Sequence, residues 1–447
     1  MPLVSAHAAR ADAASAQQTI AKARAIVRAA VKVRGLRRRR RIMMGVMNRA
    51  QIVAHISKRL AQTYSDSEIA TDASVLVQLG LLPPGIDYKR AVLALLSDQV
   101  AGFYDPKDRR LNIASWLSMS LQKPALLHEI CHALQDQHFN LRRFTKPLKD
   151  NSDRQLARQA VVEGDCTGVM LEHELLKQGR DLGSVGPLIG ALARKLASGG
   201  NKSNAWARAP RFLRETLAFP YIEGLKLVAE IRKRSPWSAV SRLFRRVPSS
   251  TEQILHYDKY KRRERPVSVR DRDLKALAKT YARVKRDTLG ELQLRLLFET
   301  ALGKSAAERA AAGWGGDRLV AYARKDAAPP QPGKPGALPL IVHLTSWDSD
   351  LDAIEAQSGM RRVLRARKLR PLPAESDATR RLWVYGGRGT RGTVQWSLQR
   401  AGKHLLLIGG APAALRRALQ REVWQRWRVR GRRVRVRVRV RASGRRK

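Results

Sequence analysis

Five consecutive residues, His128-Glu129-Ile130-Cys131-His132, set two imidazoles one helical turn apart with a carboxylate between them. Positions i and i+4 of a helix share a face, so His128 and His132 can hold one tetrahedral zinc ion together. Glu129 then stands beside the open coordination position, where a general base is needed for a zinc-activated water. The whole chain has nine histidines, which makes an accidental pair at this spacing around a glutamate improbable. The chemistry such a motif points to is hydrolysis of a peptide bond. Zinc acidifies its water to a pKa of about 7, and Glu129 takes the proton and later delivers it to the leaving amine.

A catalytic zinc needs a third protein ligand, and three residues compete for the role. His138 follows His132 by six positions, but Gln135 occupies the place where a chain-turning glycine would be needed. If the helix continues, His138 lies about 240° around from His132 and faces away. Glu163, in Val162-Glu163-Gly164-Asp165, sits in a helical run expected from about Asp153 to Lys177, and completes a His₂Glu ligand set. Asp165 projects from a different face and suits a hydrogen bond to the other nitrogen of a ligand histidine. Glu163 is the preferred ligand, while Asp165 reads equally as that outer partner or as a solvated carboxylate on the helix face. The tetrahedral oxyanion also needs a donor. His256, in Thr251-Glu252-Gln253-Ile254-Leu255-His256, is the first candidate and Tyr104 the second, each with a packed structural role as its alternative.

The elements that must position these groups are legible around them. Pro124 is suited to open a helix, and Leu126, Leu127, Ile130, Ala133 and Leu134 supply its buried face. Upstream, Val100 to Ala114 reads as a β-hairpin turning at Asp105-Pro106-Lys107-Asp108, a strand pair able to hold an extended peptide. Cys131 and Cys166 each lie three residues after a proposed ligand. Two small buried residues is the preferred reading of that pair; a disulfide bracing the site is the other.

A succession of motifs carries a wider likeness: Ala101-Gly102-Phe103-Tyr104-Asp105-Pro106, the histidine pair with Ala133 to Gln137, and Val162 to Asp165. Phe219-Pro220-Tyr221-Ile222-Glu223-Gly224, Ser250 to His256 and Gly313-Trp314-Gly315-Gly316-Asp317 follow. Over roughly residues 45 to 420 the chain resembles a largely uncharacterised family of bacterial HExxH proteins, gluzincin-like and often secreted or lipid-anchored. The resemblance implies a zinc-peptidase fold, Zn²⁺ held by His128, His132 and Glu163, a peptide or protein substrate, and export to the envelope or beyond. Cys131 inside the motif and Cys166 after Glu163-Gly164-Asp165 depart from the family's pattern.

Charge and organisation complete the reading. Lys and Arg number 87 against 38 Asp and Glu, a net charge of +49. No acidic residue occurs between Ala13 and Ser65, and the stretch from Arg428 is almost wholly Arg, Val and Gly. Such basic ends suit non-specific contact with polyanions through counterion release, although no base-reading motif accompanies them. The expected fold class is α+β: a mostly helical zincin-like metallopeptidase domain with a small antiparallel strand element, plus a small C-terminal α+β module. The expected division is a basic Ala/Arg-rich extension over 1–45 and the metallopeptidase domain over 46–325. A Pro-rich linker at 326–339, the small module at 340–427 and an Arg/Val-rich tail at 428–447 follow. His55, on an expected helix, reads as a surface residue. No apolar run is long enough to span a membrane, and Met1 to Ala16 lacks the apolar core of a signal peptide. The competing functions are a non-proteolytic zinc protein that only captures peptides, and a polyanion- or nucleic-acid-binding protein acting through its basic ends. Glu129 argues against the first, since a structural zinc has no use for a base.

Overall fold

The computed structural model describes residues 3–98, 102–116, 119–191, 204–334, 336–379, 381–389 and 392–430. The chain opens with a long helix, Leu3–Arg34. Ala23, Ile26, Val27, Ala30 and Val33 recur at helical spacing and are all buried in the main core. The stretch read as a basic extension is therefore built into the fold from about residue 20 onward. Strand β1 (Met43–Met47) follows, unannounced by any alternation in the sequence. Helices Arg49–Thr63 and Asp66–Leu79 come next, their first turns closed by capping boxes, Asn48 with Gln51 and Ser65 with Glu68.

The expected hairpin is present. Strand β2 (Gly102–Asp105) runs antiparallel to β3 (Arg110–Ala114), and β1 joins the other side of β3 in parallel register, giving the order β1-β3-β2. Val100 and Ala101 lie outside the described residues. β2 is an edge strand and β3 is almost wholly buried against the motif helix, Met119–Phe139. That helix begins before Pro124 rather than at it, so the proline lies inside the second turn.

The helix carrying Glu163 spans Ser152–Leu176, within a residue of expectation. Its neighbour Arg211–Arg232 packs along it through a glycine contact. A Cβ on Gly164 would collide with the Gly224 backbone, and one on Gly224 with the Ala160 carbonyl oxygen. Two mid-helix glycines carry a conformational cost that this close approach explains. Ser198-Gly199-Gly200-Asn201, whose composition reads as a loop, lies outside the described residues.

The C-terminal half is a seven-stranded antiparallel sheet, ordered β5-β6-β7-β11-β10-β9-β8. Its strands are β5 (Tyr281–Asp287), β6 (Trp314–Arg324), β7 (Leu340–Trp347), β8 (Arg370–Pro371), β9 (Leu382–Gly389), β10 (Gly392–Ala401) and β11 (His404–Ala411). Alternate residues face opposite cores. Leu319, Ala321, Ile341, Leu405 and Leu407 join the core shared with the helical half. Val320, Val342, Leu344, Leu406 and Ile408 meet Leu419 and Val423 of the helix Ala413–Arg426.

The boundary expected at 326–339 falls inside this sheet. β6 and β7 are adjacent antiparallel partners, so residues 325–339 connect a hairpin and the expected small module is part of a larger sheet. Glycines at 313, 315 and 316 disguise the start of β6 as a turn; Gly316 is required because a Cβ there would strike the Val267 carbonyl. Strand β12 (Arg428–Arg430) pairs with β4 (Ser268–Arg270), and the rest of the expected basic tail, 431–447, lies outside the described residues.

Two motifs prove to hold buried carboxylates that anchor neighbouring segments. Asp153 accepts hydrogen bonds from the Thr251 amide (2.9 Å) and hydroxyl (2.5 Å). Asp317 accepts from the amides of Leu289 and Gly290 and from Trp314 Nε1, each at 3.0 Å. Among the described residues no helix is long and apolar enough to cross a membrane.

Candidate metal centre

The motif helix and the Ser152–Leu176 helix bring three ligand atoms to one point. His128 Nε2 lies 3.0 Å from His132 Nε2, and Glu163 Oε2 lies 3.1 Å and 3.3 Å from the two nitrogens respectively. Zinc bonds of about 2.0–2.1 Å in a tetrahedron require ligand atoms roughly 3.4 Å apart, so the donor set fits the ion in both type and spacing. The two imidazoles meet edge-on, 4.6 Å between centroids, because i and i+4 side chains tilt the same way along the helix. Burial alone would raise the Glu163 carboxyl, but the His132 and His128 rings outweigh it and hold the group far below the usual range. Burial likewise opposes charge on His132, yet Glu163 prevails and pushes that imidazole up to about 9.

Glu129 is half-buried beside this triad and outside it. Its Oε2 accepts the backbone N–H of Tyr104 at 2.7 Å, so the edge strand fixes the carboxylate's orientation. Burial raises its pKa, opposed by the charges of His132 and His128.

Tyr104 therefore contributes an amide rather than a hydroxyl. The phenol is buried and donates to Asp136 Oδ2 at 2.9 Å, which leaves it committed elsewhere. His256 is also displaced from its expected role: Nε2 pairs with Glu291 Oε1 at 2.8 Å, and no hydrogen bond or ion pair ties it to the triad or Glu129. Its hydrogen bond to Glu291 raises the imidazole's pKa in spite of partial burial. His138 faces away, as the helical arithmetic requires, bonded to the Arg37 carbonyl at 2.8 Å.

Asp165 is not in contact with either ligand histidine. It is wholly buried, paired with Arg34 Nε at 2.6 Å, and reached from His132 only through Gln135. Cys131 and Cys166 form a disulfide, with Cα atoms 5.5 Å apart. The preferred reading of two separate small residues gives way because the helices that meet at Glu163 also align the residues one turn further on.

Tyr221 is the residue that motif spacing does not reveal. Its ring stacks on His128, centroids 6.0 Å apart and 26° from parallel. The negative charge of Glu163, then burial, raises the phenol's pKa well above the ordinary value, and a hydrogen bond to the same carboxylate adds to it. The ring remains 38% exposed. The signal was the second glutamate-glycine pair: Gly224 fits against Gly164, which fixes Tyr221, one turn earlier, beside Glu163.

Two other acidic clusters are already occupied by cations of the protein. His55 and Asp105 are 2.7 Å apart, but Arg59 bridges Asp105 and Asp108, and Lys259 sits among Glu252, Glu264 and Asp348. His55 is thus half-buried, its ring tilted 43° against Phe103 with centroids 5.0 Å apart, rather than a free surface residue.

Residues 278–419 match the family model of a domain of unknown function, DUF8575. The matched stretch runs from just before β5 into the last helix and contains none of His128, Glu129, His132, Glu163 or Tyr221. No curated protein and no solved structure matches the chain.

Proposed function

We propose that this protein is a zinc-dependent metallopeptidase of gluzincin-like type, hydrolysing peptide bonds in a peptide or protein substrate. The observation that carries the reading is Glu163 Oε2, delivered by a separate helix to within 3.3 Å of both imidazole nitrogens. A structural zinc site closes with four protein ligands. Here the described residues gather three, with an oriented carboxylate next to them.

When bound, zinc would supply Lewis acidity, polarising the scissile carbonyl and acidifying water. Glu129, held by the Tyr104 amide, takes the proton of the attacking water and returns it to the leaving amine. Tyr221, stacked on His128 and exposed, holds its hydroxyl on Glu163 at the edge of the site, from which it would turn to donate a hydrogen bond to the developing oxyanion. The edge strand β2 offers backbone groups to an extended substrate right beside the base. A buried disulfide suits folding in an oxidising compartment, in keeping with an exported protein.

The test is a broad peptide-library digest with zinc-loaded wild type and Glu129→Gln. The variant should keep its zinc and lose cleavage by at least about a hundredfold, the low end for removing a general base. Equal cleavage by both proteins, or none by either, removes the peptidase reading.

A further inference from the structure

The ligand His132 can bind metal through Nε2 only if that nitrogen presents a lone pair, which means its proton must sit on Nδ1. A chain of buried groups running back to the first helix bears on that choice. His132 Nδ1 is 3.0 Å from Gln135 Oε1, while Gln135 Nε2 is 2.8 Å from Asp165 Oδ2 and 3.1 Å from the Val162 carbonyl oxygen. Asp165 Oδ1 and Oδ2 are 2.6 Å and 3.1 Å from Arg34 Nε and Nη2. Arg34 donates further to the Trp237 carbonyl oxygen and the Ser241 hydroxyl. Gln135 and Asp165 are fully buried and Arg34 is 1% exposed.

Hydrogen-bond chemistry allows one arrangement of this chain. Arg34 is only a donor, so both oxygens of Asp165 accept. The Gln135 end facing Asp165 and the Val162 carbonyl meets two acceptors, so it must be the NH₂. The amide oxygen is then forced toward His132 and accepts from Nδ1–H. We infer that Arg34, Asp165 and Gln135 form a positioning relay, in which the guanidinium at the end of the first helix fixes the protonation pattern and orientation of a metal ligand. Flipping the amide would set NH₂ against Nδ1 and oxygen against Asp165 and Val162, leaving buried like groups facing each other. Trp237 reinforces the anchor: the Arg34 guanidinium carbon lies 5.2 Å from its ring centroid and the backbone carbonyl accepts from Nη1.

This relay rests on the reading that His128, His132 and Glu163 hold zinc, and it extends it to residues that touch neither metal nor substrate. Gln135→Leu removes the acceptor while keeping similar volume. Asp165→Asn keeps the shape and supplies an NH₂ that can satisfy a flipped Gln135, so it tests the relay even if the leucine variant does not fold. Zinc affinity is measured by competition with a chromophoric chelator, and the His132 Nδ1 proton is followed by NMR of ¹⁵N-imidazole-labelled protein. Both variants should bind zinc about 10- to 100-fold more weakly, and Gln135→Leu should lose the protected Nδ1 proton. Wild-type affinity together with an unchanged Nδ1 resonance in a folded variant overturns the relay. Failure of wild type itself to bind zinc overturns the metal reading. In that case the relay stands or falls on whether removing Gln135 exposes the Nδ1 proton to exchange.

Discussion

Reducing the Cys131–Cys166 disulfide gives a measurement whose size follows from the structure. The bond closes a loop of 35 residues, and in the chain-entropy treatment such a loop is worth about 4 kcal/mol at 25 °C. Comparing oxidised with reduced wild type isolates the cross-link, because both sulfurs stay in the core. With an unfolding entropy of about 2 cal/mol/K per residue over 447 residues, the shift is roughly 4 °C in Tm if the chain unfolds as one unit. Both cysteines are wholly buried, so the bond must be reduced in denaturant and the chain refolded before scanning calorimetry. Zinc affinity should change much less, by under about tenfold, because the Gly164–Gly224 contact and the Gln135–Asp165 hydrogen bond still align the two helices. Two titratable thiols in freshly purified protein, or an unchanged Tm after reduction, would refute the reasoning.

Three further outcomes follow from the packing and the charges. Gly164→Ala drives a methyl into the Gly224 backbone and should cost about 1–3 kcal/mol by calorimetry; an unchanged Tm would mean the helices are not in contact there. Asp153 is 1% exposed, and burial, reinforced by Asp317 and Glu291, raises its pKa well above the usual value against the pull of Thr251. A raised folded pKa means the native state holds a proton the unfolded chain has released, so stability falls as pH rises from about 4 through the folded value. Asp153→Asn, which keeps the oxygen facing Thr251, should therefore gain Tm relative to wild type as pH climbs through that window. A gap that is constant or shrinks with pH contradicts this. Tyr221→Phe should lower kcat by about a hundredfold with zinc content intact, as loss of an oxyanion donor does; a change confined to KM would assign the ring to substrate binding instead.

The histidine pair and Glu129 were legible because helical spacing carries their relation, and Glu163 because it lies on the next long helix, where a glutamate completes a His₂Glu set. Helical arithmetic also disposed of His138. What spacing does not encode is contact between distant segments. Arg34 lies 131 residues from Asp165 in sequence, and nothing in a basic, alanine-rich stretch marks one arginine of many as buried. Tyr104 was read by its side-chain chemistry, whereas the fold uses its backbone amide, which every residue except proline possesses. His256 was assigned by residue type alone, and a glutamate thirty-five positions on claims it. β6 was missed because the glycines that admit close backbone neighbours also resemble turn residues. β1 and β12 are short strands whose pairing partners lie far away in the chain, and the apparent linker before β7 proved to be a hairpin loop.

The most direct measurement is anomalous diffraction at the zinc absorption edge from crystals of zinc-loaded protein. One anomalous peak should stand about 2 Å from His128 Nε2, His132 Nε2 and the Glu163 carboxylate, with Glu129 outside bonding distance. A peak at another cluster, or no peak between the paired imidazoles at full zinc loading, contradicts the assignment of a metal centre here.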